Sequence, residues 1–477
     1  MKVRTRYAPS PTGFMHIGNL RTAIFEYLLA KKYNGDFILR IEDTDQEREV
    51  EGAIDFIYKT LDLCGFKIDE GPNNEKEYGP YIQSKRKDIY KKYALKLVEI
   101  GKAYYCFCSE EELTKMREKA EMRKKPFVYD GRCSRLSKEK IAENIKNNVP
   151  YVIRQKMPKE GVTIVEDLIY GKVKIDNSIL DDQILLKSDG FPTYNFANVI
   201  DDHLMEITHV IRGKEYLDQT AKYNLLYDAF GWEKPTYIHV AMVLGEDGNK
   251  LSKRNGDASF MDLYNEGYLP EAIVNYLSLL GWSPETNQEV FSMEELIANF
   301  NEKRISKSSS QYDVKKLKWF NHQYINKMDD DKYLEWIKKY FTINCEGKSE
   351  EWVNHLLSIY KSHLDYGNEI NELVKGFFDK EFKIEEEAEE FMKSDEIIPT
   401  VVKTFKEEIE NTNEWTVEAL SQVINNVKEK RGVKGKMLFM PIRIAASGIM
   451  HGPELADTLY LIGKEEILNR LEKWKKE

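Results

Sequence analysis

The residues best able to do chemistry in this chain fall into three clusters. The first is Arg6-Tyr7-Ala8-Pro9-Ser10-Pro11-Thr12-Gly13-Phe14-Met15-His16-Ile17-Gly18-Asn19. A helix beginning beside His16 and Gly18 would turn free backbone N–H groups and the positive end of its dipole towards a phosphate. His16 can donate a ring N–H to the same anion, and Gly18 lets it approach closely. The second cluster, Glu42-Asp43-Thr44-Asp45, offers three carboxylates. The third, Lys250-Leu251-Ser252-Lys253-Arg254, follows the turn Glu246-Asp247-Gly248-Asn249. A mobile lysine pair after a glycine turn suits a reaction that releases pyrophosphate, because negative charge builds on the outer phosphates of a nucleotide as its α-phosphorus is attacked. Each pattern also has a plainer reading: an ordinary strand and turn, a capped helix start, a solvated lysine loop.

The elements that must carry these residues follow from the apolar pattern. Residues 3–7 read as a strand, the two prolines forbid helix directly after it, and Gly13 permits a tight turn. From Asn19, a suitable cap, Leu20, Ala23, Ile24, Tyr27 and Leu28 recur at helical spacing. Gly35 ends that helix, and Asp36-Phe37-Ile38-Leu39-Arg40-Ile41 is too apolar to be a half-exposed strand. Strand, helix and strand make a right-handed crossover whose ligands lie beyond the strands' carboxyl ends, where the first two clusters would meet. A helix is expected over 47–63. Ile207-Thr208-His209-Val210-Ile211-Arg212-Gly213 and Tyr237-Ile238-His239-Val240 are further strands, and Arg212 again ends one. Past Ile305-Ser306-Lys307-Ser308-Ser309-Ser310, a flexible polar run, Lys315-Lys316-Leu317-Lys318-Trp319-Phe320-Asn321 mixes basic and aromatic residues, either a nucleic-acid surface or an amphipathic helix. Residues 330–477 read as successive amphipathic helices with no tandem period.

Composition sets the outer bounds. The chain has 71 Lys and Arg against 81 Asp and Glu, a formal charge of −10, so a protein basic all over is excluded while a basic face for RNA is not. Five scattered cysteines make no disulfide framework, and no apolar run reaches membrane-spanning length. A soluble, cytoplasmic protein is expected. Between about 104 and 189 an insertion is expected. Cys106, Cys108, Tyr129 and Cys133 fall close together in it, soft ligands of the type zinc prefers in fours. Three reduced thiols without metal would look the same. The basic run from Arg117 to Arg123-Lys124-Lys125 reads as a solvated helix face.

The first and third clusters resemble the HIGH and KMSKS motifs of class I aminoacyl-tRNA synthetases. The Pro-Ser-Pro-Thr-Gly context, with Asn19 in place of the final His, and the Lys-Leu-Ser-Lys-Arg variant are similar to the bacterial glutamyl branch. The resemblance implies a Rossmann-like α/β catalytic domain with an inserted subdomain, followed by an all-helical anticodon-binding region. Its divisions would be the first half of the catalytic domain at 1–103, an inserted acceptor-stem-binding subdomain at 104–189, the second catalytic half at 190–245, a stem-contact region at 246–325 and the anticodon-binding region at 326–477. Pro441-Ile442-Arg443 and His451-Gly452-Pro453 resemble a stretch characteristic of that last region. The implied reaction joins ATP, with Mg²⁺, and L-glutamate into glutamyl-adenylate, then charges tRNA(Glu). The implied roles are catalysis for His16, Lys250 and Lys253; ATP binding for Pro9, Gly18, Asn19, Ser252 and Lys253; and glutamate binding for Arg6, Ser10, Glu42, Tyr194 and Arg212. Glu42 would meet the α-ammonium, and Arg212 would grip the side-chain carboxylate in a fork. Structural zinc is common in the insertion of this family through a Cys-x-Cys…Cys-x-His set; Arg135 stands where that His would be, and Tyr129 is the substitute ligand. A monomer is expected. Two rival classes are a nucleotidyltransferase that acts without tRNA, disfavoured by the long helical half, and a non-catalytic RNA-binding paralogue, disfavoured by His16, Glu42, Arg212 and Lys253 occurring together.

Overall fold

The computed structural model describes residues 2–13, 15–124, 127–249, 251, 259–379 and 381–475. The chain forms two compact units, Met1–Asp262 with Ile273–Val314, and Leu263–Ala272 with Lys315–Glu477.

In the first unit, β1 (Arg4–Tyr7) and β2 (Asp36–Leu39) pair in parallel, with Arg4 opposite Asp36 and Tyr7 opposite Leu39, and α1 (Ile17–Lys32) makes the crossover. Every residue of both strands is buried, as in a parallel sheet covered on both faces. The expected strand over 36–41 is shorter, although Ile41 makes a further bridge to Ile82. The helix cap is His16, not Asn19: the imidazole Nδ1 accepts the Gly18 N–H at 3.1 Å, which starts α1 at Ile17 and leaves Asn19 inside the first turn. The helix expected over 47–63 begins only with α2 (Ala53–Leu63), because Gly52 precedes it in a left-handed conformation at φ 79° and Gln46–Arg48 forms just one short turn.

Farther along come α3 (Lys87–Glu99), β3 (Ala103–Cys106), α4 (Glu110–Met122), α5 (Lys138–Lys146), β4 (Val152–Gln155), β5 (Val162–Asp167), β6 (Gly171–Asp176), β7 (Ile184–Leu186), α6 (Tyr194–Leu204), β8 (His209–Gly213), α7 (Thr220–Phe230) and β9 (Thr236–Val240). Strands β3, β4 and β7 make an antiparallel sheet, whereas β6, β5, β9 and β8 form a second sheet in that order. The inserted stretch is therefore not self-contained: its β5–β6 hairpin extends the sheet of β8 and β9, joining where Asp167 lies opposite Tyr237. Strand β5 alternates, with Thr163, Val165 and Asp167 inward, so its last residue is delivered into the interior. Next to β8, Thr208 N–H donates to the Arg4 carbonyl at 3.0 Å, which brings β1 alongside.

The second unit is helical, with no strand among its described residues. Ile398, Val401, Val402, Phe405 and Ile409 line one face of the helix Ile398–Asn411 and pack with Leu420, Ile442 and Leu459; Tyr333, Ile337, Leu356 and Ile370 anchor a second core. No described helix is long and apolar enough to cross a membrane.

Gly35 sits where α1 hands over to β2. A Cβ there would lie 2.1 Å from the Val3 carbonyl oxygen, a backbone atom that accepts the Asp36 N–H and cannot yield. Gly35→Ala is expected to lower the stability of the first unit by about 2–4 kcal/mol, read as a shift of its urea transition in circular dichroism.

Candidate active site

A cavity of about 290 Å³ opens beyond the carboxyl ends of β1, β8 and β9 and the amino end of α1. Arg6, Pro9, Ser10, His16, Gly18, Asn19, Tyr194 and Arg212, all expected from the sequence, line it. Lys250, Ser252 and Lys253 lie outside the described residues, but Leu251 between them is buried and lines the same wall. Because His16 Nδ1 accepts a hydrogen bond, the neutral ring carries its proton on Nε2, the state required to donate to an anion. The expected loop residues and the amino end of α1 thus meet at one end of the cavity.

Glu42 is placed differently from the expectation: it is buried and is not among the lining residues. Its Oε1 accepts from Arg40 Nη2 at 2.9 Å, while Oε2 is buried without a hydrogen-bond partner. Arg6 does line the cavity, but its guanidinium is already paired, with Asp202 at 3.0 Å and Glu26 at 3.2 Å. Arg40, fully buried, reaches the same Asp202 oxygen at 2.8 Å, and Arg86 holds Asp201 at 2.8 Å. This network sets three guanidinium groups, Arg6, Arg40 and Arg86, against four carboxyls, Glu26, Glu42, Asp201 and Asp202. One carboxyl is in surplus. Burial holds Glu26 well above the usual carboxylate range. Burial also pushes Glu42 up to about 7, against the pull of Arg40 and Arg6.

Arg212 is built differently. It is 6% exposed, its Nε donates to His239 Nε2 at 3.2 Å and its Nη2 to Thr220 Oγ1 at 2.7 Å, and no carboxylate among the described residues forms an ion pair with it. The rings of Tyr223, Tyr237 and Tyr216 stand 4.6, 5.5 and 5.7 Å from its guanidinium carbon. The cavity wall therefore presents a buried cation that no described carboxylate pairs directly, although Glu215 lines the same cavity, and a ligand carboxylate or phosphate is what it accepts best. Arg21, also lining the wall, binds the Leu280 and Ala241 carbonyls, and burial lowers it to about 10, still cationic at neutral pH.

Sequence reasoning passed over Glu26, Arg40, Asp167, Asp202 and His239. One signal was available: Asp201-Asp202 stand side by side in the otherwise apolar Phe196-Ala197-Asn198-Val199-Ile200 run, where an acid pair at buried helix positions requires a cationic partner.

Apart from the cavity, Cys106, Cys108 and Cys133 bring their sulfurs within 4.8 Å of one another. The Tyr129 hydroxyl lies 3.3 Å from Cys106 Sγ and 3.4 Å from Cys108 Sγ, so all four expected ligands converge. Hydrogen bonding from the Cys133 thiol, and from Tyr129, holds the Cys106 thiol far below its ordinary value, towards the thiolate that a metal needs.

Residues 2–319 match the family described as tRNA synthetases class I (E and Q), catalytic domain, and residues 331–475 match the family described as Anticodon binding domain. A glutamate–tRNA ligase of Clostridium novyi (strain NT) is 50% identical over 482 residues, covering 98% of this chain and 97% of its own. One from Clostridium tetani (strain Massachusetts / E88) is 47% identical over 483 residues, covering 98% and 96%. Among solved structures, the glutamate tRNA ligase of Elizabethkingia meningosepticum CCUG26117, in complex with its amino acid, is similar with a TM-score of 0.89 at 36% identity over 99% of both chains. The glutamate-tRNA synthetase of Elizabethkingia anophelis gives 0.90 at 36% identity over the same shares.

The buried carboxyl of Glu42 has a measurable consequence. From pH 4.5 to 7 the unfolded chain has lost this proton while the folded chain keeps it, so the folded state binds more protons and stability falls as pH rises. Glu42→Gln cannot titrate. Relative to the parent it is expected to gain up to about 3 kcal/mol between pH 5 and pH 8, in denaturant titrations at each pH. A difference independent of pH would refute the assignment.

Proposed function

Since the chain belongs to the glutamate–tRNA ligase family of class I tRNA synthetases, we propose that its cavity joins ATP and L-glutamate into glutamyl-adenylate and pyrophosphate, and then passes the glutamyl group to a ribose hydroxyl at the 3′ end of tRNA(Glu). It is an aminoacyl-tRNA ligase of protein biosynthesis. The observation that carries the choice of amino acid is Arg212, a buried guanidinium on the cavity wall with no described carboxylate partner. A glutamate side-chain carboxylate completes the pair, whereas a neutral side chain leaves the cation buried and unmatched.

In this reading ATP enters as its Mg²⁺ complex, with Pro9, Gly18, Asn19 and His16 around the nucleotide and the α1 N-terminus against its phosphates. Ser10, Tyr194 and Arg6 border the amino acid; Arg6, already held by Glu26 and Asp202, acts as a fixed wall rather than as a second clamp. Glu42 stands behind the wall that Tyr194 and Tyr216 form, and its ionised form would favour the α-ammonium. Lys250, Ser252 and Lys253 meet the outer phosphates and stabilise the charge that develops there. No protein nucleophile is needed. The carboxylate of glutamate attacks the α-phosphorus, and catalysis rests on position and on preorganised positive charge.

The residues around 104–189 would meet the acceptor stem, 246–325 the stem, and 326–477 the anticodon. Lys315, Lys318 and the half-exposed Trp319 are suited to a nucleic-acid backbone and bases. We further assign the Cys106, Cys108, Tyr129 and Cys133 cluster to a structural zinc ion; Arg135 takes no part in it. The convergence of three thiols and a phenol fits that ion, which would tie β3 to the turn carrying Cys133. The enzyme is read as a cytoplasmic monomer.

The decisive assay follows labelled glutamate onto transcripts of tRNA(Glu) and tRNA(Gln) with ATP and Mg²⁺. Charging of the first is expected, with Lys253→Ala slowing it by about 100-fold while tRNA binding is retained; failure of the parent to charge either transcript would favour a regulatory RNA-binding role. Charging of both would mean relaxed tRNA choice. Metal analysis should find one zinc per chain, lost in Cys133→Ser together with about 2 kcal/mol or more of stability in the first unit; no zinc in either protein would leave three reduced thiols as the correct description.

A further inference from the structure

A guanidinium used as a specificity element must be aimed, and Arg212 is aimed by neutral groups. Arg212 of β8 and His239 of β9 are register partners on adjacent parallel strands. Behind His239 stands Asp167, the last inward residue of β5. Asp167 Oδ2 accepts both the backbone N–H of His239, at 3.0 Å, and its Nδ1, at 2.7 Å, while Oδ1 accepts the N–H groups of Ile169 and Tyr170 at 2.9 and 2.8 Å. A carboxylate fixed by four hydrogen bonds sets the imidazole proton on Nδ1 and leaves Nε2 as an acceptor. That lone pair takes the Arg212 Nε–H. Thr220 Oγ1, 2.8 Å from the Tyr216 carbonyl to which it can donate and 3.2 Å from His239 Nε2, takes the Nη2–H. All three members of the relay are buried, with His239 at 0% exposure.

We propose that His239, set by Asp167, is a positioning residue that orients Arg212 towards the side chain of the amino acid and thereby sets the preference for glutamate over glutamine. The inference rests on the reading of Arg212 given above. Its physical logic lies in the contrast with Arg6 and Arg40. Those arginines are held by carboxylates directly, which neutralises them. An imidazole interposed between Arg212 and Asp167 fixes the guanidinium equally well while keeping the negative charge one ring away, so the positive field into the cavity survives. The Nη1 edge of Arg212 makes no hydrogen bond among the described residues, and the residue lines the cavity.

Two isosteric replacements separate the roles of the two ring nitrogens. His239→Asn keeps a donor for Asp167 at the Nδ1 position and removes the acceptor; His239→Gln places an amide oxygen near the Nε2 position. In aminoacylation with saturating ATP and tRNA, His239→Asn is expected to raise the glutamate KM about tenfold with kcat within about twofold, and to lower the glutamate-over-glutamine ratio of kcat/KM about tenfold. His239→Gln should recover most of both. Equal losses in the two variants, a loss in kcat alone, or an unchanged KM in His239→Asn would overturn the proposal. Arg212→Gln distinguishes this failure from that of the underlying reading: if it leaves the glutamate KM unchanged, Arg212 is not the carboxylate ligand at all, whereas a raised KM there beside a normal His239→Asn removes only the positioning role. A measurement on the parent enzyme does not depend on any variant folding. Nitrogen-15 shifts of the histidine rings in the deuterated full-length protein should show His239 as the Nδ1–H tautomer; the commoner Nε2–H form would contradict the relay.

Discussion

The carboxylate of Asp202 holds the active-site end of the first unit together. One of its oxygens takes hydrogen bonds from Arg6 of β1 and from Arg40, just past β2, so a residue near the end of α6 ties the carboxyl ends of the two parallel strands to one point. Asp202 is the one carboxylate that both guanidinium groups share, and their burial depends on such pairing because an unpaired buried charge costs several kcal/mol even after the surroundings relax. Glu26 of α1 closes the same network onto the crossover helix, whose N-terminus faces the cavity. The position of the amino end of α1 at the cavity is thus set by ion pairs behind the wall.

This network also explains why the arginines near the cavity have unequal roles. Arg6 and Arg40 have charges matched by protein carboxylates and serve as rigid parts of the wall. Arg212 has an aimed but unmatched charge. The difference is made by the element behind each one: an acid-bearing helix in the first case, a histidine on the neighbouring strand in the second. A single fold can therefore hold, in and behind one cavity wall, arginines paired with acids and one held by neutral groups.

Much of this was legible in the sequence because it is local. The prolines and glycine after β1, the apolar period of α1 and the continuous apolar run of β2 each report on their own backbone, and they placed His16, Gly18 and the end of β1 correctly. The helix cap was misread because Asn19 has a suitable capping side chain at the start of the apolar period, and only the 3.1 Å bond from Gly18 N–H to His16 Nδ1 shows that His16 takes that place. Partners distant in sequence were invisible. Asp202 meets Arg6 across 196 positions and Asp167 meets His239 across 72, and no spacing rule connects such residues. Glu42 shows the intermediate case: its place after β2 was read correctly, but the direction of its side chain was decided by Arg40, two residues earlier, which itself depends on Asp202.

A formal charge of −10 runs against the sign expected of a protein whose substrates are ATP, glutamate and tRNA, all anions. The structure resolves this by scale. Over the whole surface the acids prevail, and at moderate ionic strength charges beyond about 10 Å of one another are largely screened. Within the cavity, Arg21 and Arg212 are buried cations that make no ion pair among the described residues, Glu215 on the same wall acts on Arg21 from a distance, and the first turn of α1 adds its dipole. Low-dielectric walls focus that local field on the ligand, so a few positive groups inside outweigh many negative ones outside. The same separation bears on catalysis. Positive groups fixed before a substrate arrives need not reorganise as charge shifts, and here Arg21 is fixed by the Leu280 and Ala241 carbonyls and Arg212 by His239 and Thr220.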